Sequence, residues 1–110
     1  MNQNDHGVFI DGFEEIGVGD SYRLGLRISL GEYFGMWGYA LSFTGKTYGQ
    51  SEGLTPRECV FFTRRNMFIH AKRRIERIDI IKEFSQKMQD ELFKKLDSEI
   101  NQDLFGGDYE

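Results

Sequence analysis

Two neighbouring runs of alternating residues constrain the fold of this chain more than any other feature. Every second residue is apolar from Tyr22 to Leu30, and the same period of two returns from Met36 to Thr44. This period is typical of a strand with one buried face. The five residues Gly31–Gly35 that link the runs are too few for a parallel crossover. The sequence therefore predicts an antiparallel hairpin over residues 22–44.

The second face of this hairpin is built mainly from small residues. They are Gly25, Ser29, Gly38, Ala40 and Ser42, and only Arg23 and Arg27 project between them. A face with so few large side chains allows another backbone or helix to approach closely. It is either packed on the chain's own long helix, open to water as antiparallel sheets often are, or a docking surface for a partner.

Turn signals and short polar stretches surround the hairpin. Residues 1–7 are polar and are expected to form a loose tail. Gly17 and Gly19 mark a loop, in which Glu14 and Glu15 are interpreted as surface charge rather than as a catalytic carboxylate pair. A third loop is expected from Gly45 to Pro56.

The residues from Thr63 onward have the pattern of an amphipathic helix. Thr63 is a suitable N-cap, since its hydroxyl can accept a hydrogen bond from the first turn. The apolar positions fall on one stripe at 3.6 residues per turn: Met67, Phe68, Ala71, Ile75 and Ile78. An earlier helix start at Thr55, with proline at the first helical position, is the alternative. We favour a short buried strand over Glu58–Phe62 followed by the helix.

No glycine or proline interrupts the chain from Ile78 to Gly106, and the apolar stripe continues at a spacing of four. The stretch 63–105 is therefore one helix of roughly 60 Å, or two consecutive helices with a bend near Ile78-Asp79. We favour the bend, because a small hairpin cannot cover a straight helix of that length. A homodimer through the C-terminal half is the alternative. Gly106 and Gly107 are expected to end the helix, with residues 106–110 as a loose tail.

The net charge of −4 hides a segregated pattern. Residues 1–54 and residues 80–110 each carry a net charge of −4, whereas residues 55–79 carry +4. The cations of this central segment lie on the polar side of the predicted helix. With two arginines of the hairpin they form our set of candidate partner-binding or phosphate-binding residues: Arg64, Arg65, Lys72, Arg73, Arg74, Arg77, Arg23 and Arg27.

Aromatic residues around the hairpin offer a second candidate feature. They are Tyr33, Phe34, Trp37, Tyr39 and Tyr48. Exposed aromatics beside cations can stack on single-stranded nucleic acid, but a small core is also built from aromatics. The pI of about 5.2 weighs against a dedicated nucleic-acid binder.

No set of residues has the spacing of a catalytic, cofactor or metal site. Residues 40–47 match the loose phosphate-loop pattern, but the match lies within a predicted strand and no helix follows it. Cys59 and His70 could meet in space, although a buried cysteine and an exposed histidine are the ordinary case. We therefore expect no catalytic activity, no cofactor and no metal.

Length and composition complete the prediction. The 110 residues indicate one domain, and the single cysteine excludes an internal disulfide. With no membrane-spanning run of apolar residues and no signal-peptide core at the N-terminus, a cytoplasmic location is expected. The predicted fold is α+β: an antiparallel sheet of three or four short strands followed by one or two C-terminal helices.

The function expected from these features is non-catalytic protein binding. Small acidic accessory or inhibitor proteins of phage and mobile elements, acting on a host protein or nucleoprotein complex, share this general profile. Docking would use the sheet face or the basic helix face. The alternative is nucleic-acid binding through the basic face of residues 64–77.

Overall fold

The computed structural model describes residues 2–20 and 23–106, and it confirms the predicted α+β fold. A four-stranded antiparallel sheet has the order β1-β2-β3-β4, and two helices follow it in sequence. The strands are β1 (Glu14–Asp20), β2 (Leu24–Tyr33), β3 (Met36–Thr44) and β4 (Gly49–Ser51). The helices are α1 (Arg64–Glu76) and α2 (Gln86–Gly106).

The central hairpin is formed by β2 and β3, with a tighter turn than the sequence predicted. Its strands run to Tyr33 and from Met36, so only Phe34 and Gly35 make the turn instead of Gly31–Gly35. Both turn residues have positive φ, at 51° and 81°, as in the type I′ turns that match strand twist. Tyr22, the predicted first residue of the hairpin, lies outside the described residues.

Strand β1 corrects the prediction of a glycine-rich loop around Glu14 and Glu15. It pairs along its full length with β2 and places Ile16 opposite Ile28. The period-two pattern is short and is weakened by glycines, which disfavour strands. Pairing with the hairpin supplies the stability that the local sequence lacks.

The predicted bend between two helices is confirmed. The hydroxyl of Thr63 accepts a hydrogen bond from Asn66 N at 3.0 Å, which caps α1 as expected. A 3₁₀ helix, Asp79–Glu83, separates α1 from α2. Asp79 does not cap α2, since Ser85 Oγ accepts the bond from Met88 N at 3.2 Å. Of the predicted tail 106–110, Gly106 ends α2 and the rest lies outside the described residues.

Both helices pack on one face of the sheet. The cross-strand pairs Leu26–Phe43, Ile28–Leu41 and Leu30–Tyr39 line this face, and all six side chains are buried. Helix α1 covers the β3 side and α2 covers the β1 side. Among the largest fully buried side chains that the helices contribute are Phe68, Met67, Ile75, Leu92 and Leu96.

The small-residue face is covered over part of its area by the chain's own segments. A second apolar cluster of Phe9, Ala40, Leu54 and Cys59 lies there. The backbone of Glu58–Cys59 approaches Gly38 so closely that a Cβ at Gly38 would lie 2.5–2.7 Å from it. Close backbone approach was therefore correctly predicted, but the covered part of the face meets residues around Phe9, Leu54 and Cys59 and not the long helix.

Two further predictions, both about segments near this covered face, are wrong. Residues 2–7 are not a loose tail, because Gln3 pairs with Phe9 in an antiparallel bridge. Residues Glu58–Phe62 are not a regular strand. Pro56–Glu58 form a 3₁₀ helix with the capping box of Thr55 and Glu58, and only Phe61 makes a β-bridge, with Trp37.

Candidate partner-binding surfaces

Arg64, the first cation of the predicted basic face, is a structural residue. Its guanidinium bonds both carboxylate oxygens of Glu14 at 2.9 and 3.0 Å and one of Glu99 at 3.1 Å. It also lies over the rings of Trp37 and Phe68, with its Cζ 5.4 and 5.2 Å from their centroids. The side chain thus ties α1 to both β1 and α2.

Three more cations of α1 are also committed to internal contacts. Lys72 pairs with Asp97 of α2 at 2.6 Å. Arg65 donates to the carbonyl oxygen of Ile100 at 3.2 Å. Arg74 pairs with Glu52 at 2.6 Å. Most cations of the predicted basic face therefore form contacts that hold α1 against neighbouring segments.

The remaining candidate cations lie at separate places. Arg27 projects from the sheet face and pairs with Glu15 at 3.0 Å, and Arg23 is exposed just before β2. Arg73 and Arg77 are exposed near the C-terminal end of α1. Within the part of the chain that the structure describes, neither of these two forms an ion pair with a carboxylate.

Arg73 and Arg77 belong to a cavity that we call the arginine notch. It has a volume of about 460 Å³, and its lining residues are His70, Arg73, Arg74, Arg77 and Ile78. No acidic side chain is among these described lining residues. Sequence spacing predicted these cations, and all five lining residues lie on α1 or directly after it.

A chain of polar contacts fixes the wall of the arginine notch. Glu52 accepts from Arg74 and from Leu41 N. Burial would raise the pKa of Glu52, but these hydrogen bonds outweigh it and hold the pKa below its ordinary value. Tyr39 lies beside Arg74, and its hydroxyl is 2.6 Å from Nδ1 of His70. Burial raises the pKa of Tyr39 more than Arg74 lowers it, so the phenol keeps its proton.

Cys59 was weighed from the sequence as a member of a dyad with His70. Cys59 is buried, its Sγ lies 3.7 Å from the carbonyl oxygen of Thr55, and burial raises the pKa of the thiol. A raised pKa disfavours the thiolate that a nucleophile requires. Among the described residues, no group of three or more histidine, cysteine or acidic side chains could hold a metal ion.

A groove lies between β1 and α2. It has a volume of about 700 Å³ and is lined mainly by charged side chains. Lys95 crosses it, donating to the carbonyl oxygen of Gly17 at 2.7 Å and pairing with Glu91 at 3.4 Å. Lys95 belongs to α2, and its bond occupies a carbonyl oxygen of the edge strand β1. No described helix is both long and apolar enough to cross a membrane.

Exposed apolar side chains occur near the end of the sheet where β2 turns into β3. Phe34, in the turn, is 89% exposed, and Phe62 is 82% exposed. Phe61 pairs with Trp37 in an antiparallel bridge, so Phe62 continues toward the turn, and Val60 before it is 58% exposed. We call Phe34, Val60 and Phe62 the aromatic tip.

The position of Phe34 in the tip is held by its neighbours. Its ring meets Tyr33 edge-on at 4.5 Å between centroids, and Tyr33 in turn packs on Phe9 at 5.2 Å. The other aromatics of the predicted cluster divide: Tyr39 is buried, Trp37 lies under Arg64, and Tyr48 is at the opposite end of β3.

Sequence reasoning missed the aromatic tip as a surface. It grouped Phe34 with Tyr39, which is buried, and with Tyr48, which lies at the other end of β3, and it assigned Phe62 to a buried strand. The signal that was available is the dipeptide Phe34-Gly35 between two alternating runs, because a two-residue turn there requires positive φ at the phenylalanine.

No known protein family, curated protein or solved structure matches this chain significantly. The chemistry of its own surfaces is therefore what indicates a function.

Proposed function

We propose that this chain is a non-catalytic protein-binding module that docks through its aromatic tip. The observation that carries the proposal is Phe34, which is 89% exposed and has a φ of 51°. The occupant we infer is a partner protein that offers an apolar pocket to Phe34 and Phe62.

Phe34 is an unfavourable residue for the fold at this position. Type I′ turns prefer asparagine, aspartate or glycine, which tolerate the left-handed region. A bulky residue there costs roughly 1–2 kcal/mol, and burial does not compensate, since the side chain is largely in water. Backbone strain of this kind is concentrated at functional sites. A binding role explains why the turn carries phenylalanine.

The geometry of the tip resembles that of an interface anchor. Binding energy at interfaces is concentrated in a few large side chains that fill pockets on the partner. Phe34 is pre-positioned by its edge contact with Tyr33, so less conformational entropy is lost when it binds. Two phenylalanines more than four-fifths exposed at one end of the sheet also leave an apolar surface that a partner would cover.

The other docking surfaces considered from the sequence have less support. Arg64, Lys72 and Arg74 are held in ion pairs, so an extended phosphate backbone would meet few free cations. The sheet face is partly covered by the second apolar cluster. An accessory or inhibitor role in the cytoplasm, on a host protein or nucleoprotein complex, remains the setting we infer for the module.

Site-specific photocrosslinking tests the proposal. A benzophenone analogue of phenylalanine replaces Phe34 in the full chain, and the same analogue replaces Tyr48 as the matched control. Tyr48 is 49% exposed and lies beyond the far end of β3. Crosslinking in cells is followed by identification of the products, and the captured protein is then purified and titrated against the unlabelled chain.

The proposal predicts a discrete adduct from position 34 that position 48 does not give. The purified partner should bind the wild-type chain, and Phe34→Asn combined with Phe62→Ser should weaken binding at least about 100-fold, as expected for two anchor residues. Tyr48→Ser should change the Kd less than about twofold. Equal adducts at both positions, unchanged binding by the double variant, or a homodimer crosslinked at position 34 would overturn the proposal.

A further inference from the structure

We infer that the arginine notch is a binding site for a single phosphate group. This inference is independent of the aromatic tip and would stand if the tip bound nothing. The first observation is the lining itself, which includes His70, Arg73, Arg74 and Arg77 and no acidic residue among those described.

The spacing of these residues along α1 brings them to one face. His70, Arg73, Arg74 and Arg77 occur at positions i, i+3, i+4 and i+7, which lie above one another on a helix. Arg73 and Arg77 are neighbours of like charge, an arrangement that destabilises a helix. The C-terminal end of a helix favours cations, but its partial charge is only about half a unit. An anion bound between the two guanidiniums would neutralise their charges and so remove their mutual repulsion.

Polar contacts beside the arginine notch hold two of its side chains, Arg74 and His70, in position. Because Glu52 neutralises Arg74 and holds it at 2.6 Å, the uncompensated charge of the notch belongs to Arg73 and Arg77. The hydroxyl of Tyr39 lies 2.6 Å from Nδ1 of His70, so a hydrogen bond between them holds the imidazole in place. When Nδ1 accepts this bond, Nε2 carries the ring hydrogen and is a further donor. The notch therefore combines a histidine oriented by Tyr39 with two guanidiniums, of Arg73 and Arg77, that form no ion pair among the described residues.

A phosphate group matches these donors in charge and in shape. Two guanidiniums supply a charge of about +2, which balances the charge of about −2 on a phosphate dianion, and each can bond two phosphate oxygens at once. The volume of about 460 Å³ accommodates one such group with part of the molecule that bears it. A nucleic-acid backbone requires a row of free cations, and the neighbouring Lys72 is already paired with Asp97.

Titration followed by NMR tests this inference on the full chain. Inorganic phosphate and pyrophosphate are added separately at pH 7 and about 50 mM salt, and the backbone amide and arginine Nε–H signals are recorded. A single-stranded oligonucleotide of about 12 residues is a third probe. The variants are Arg73→Ala and Arg77→Ala, and Arg57→Ala is the matched control, since Arg57 is an exposed arginine that does not line the cavity.

The expected result is a saturable shift confined to residues 70–78. Each notch variant should raise the Kd for pyrophosphate at least about fivefold, whereas Arg57→Ala should change it less than about twofold. All three substitutions are at exposed positions, and their amide spectra should show the wild-type fold. Shifts that fail to saturate, that spread over exposed cations in general, or that Arg57→Ala weakens equally would overturn the inference. Affinity that rises with oligonucleotide length would also overturn it, in favour of a polyanion.

Discussion

Replacing Phe34 with asparagine should stabilise the fold while removing the proposed anchor. The phenylalanine has a φ of 51°, and relieving this left-handed conformation should gain about 1 kcal/mol. The edge contact with Tyr33 would be lost, at about 0.5 kcal/mol, because the ring is 89% exposed. The net gain of about 0.5 kcal/mol corresponds to an increase in Tm of about 2–4 °C for a domain of this size.

Thermal unfolding followed by circular dichroism measures this change. Phe62→Asn is the matched control, because Phe62 is 82% exposed and its φ is not in the positive region. The control removes the same side chain without relieving the backbone, so its Tm should stay within about 1 °C of the wild type. A lower Tm for Phe34→Asn would refute the assignment of backbone strain. An equal rise for both variants would show that loss of exposed apolar surface, rather than turn geometry, is responsible.

Substitutions at three further positions test the internal contacts. Gly38→Ala places a Cβ 2.5 Å from the carbonyl oxygen of Glu58, so urea unfolding should show a loss of about 1–3 kcal/mol; an unchanged midpoint would mean that the covering segment moves away freely. Arg64→Met removes bonds to two carboxylates and should cost about 2 kcal/mol, with Arg64→Lys restoring only part because an ammonium lacks the planar fork. The folded pKa of Glu52 lies below its ordinary value of 4.5, so its stabilising contribution is complete above pH 4.5 and is lost as the pH falls through the lowered pKa. Glu52→Gln should therefore reduce stability at pH 7 and flatten the loss of stability below pH 4.5, whereas an unchanged acid slope would exclude this role.

The basic face illustrates how far sequence patterning reaches for the candidate sites. Helical spacing correctly placed the cations of residues 64–77 on the polar side of α1, because that depends only on the period of the helix. It could not predict that Arg64 pairs with carboxylates 50 and 35 residues away. Such pairs form only when the sheet and α2 are both in place. Helical spacing therefore could not predict that Arg73 and Arg77 are the cations of this face left without an ion pair among the described residues. That depends on the contacts between α1 and the rest of the fold.

The exposure of the aromatic residues was predicted only in part from the sequence. Phe34 and Tyr39 both belong to the hairpin and both are aromatic, yet the first is 89% and the second 4% exposed. The period of two placed Tyr39 on the buried face of β3, but it gave no position for Phe34, which lies in the turn between the strands.

The sequence by itself determined the elements whose stability is local. The period of two in β2 and β3, the cap at Thr63 and the interruption near Asp79 each depend on residues a few positions apart, and each agrees with the structure. The tertiary structure alone decided that Glu14–Asp20 is a strand, because glycine-rich segments pair only when a neighbouring edge supplies the hydrogen bonds. It also decided which cations and aromatics remain in water, since that follows from contacts between segments far apart in the chain. Both proposed surfaces belong to this second group.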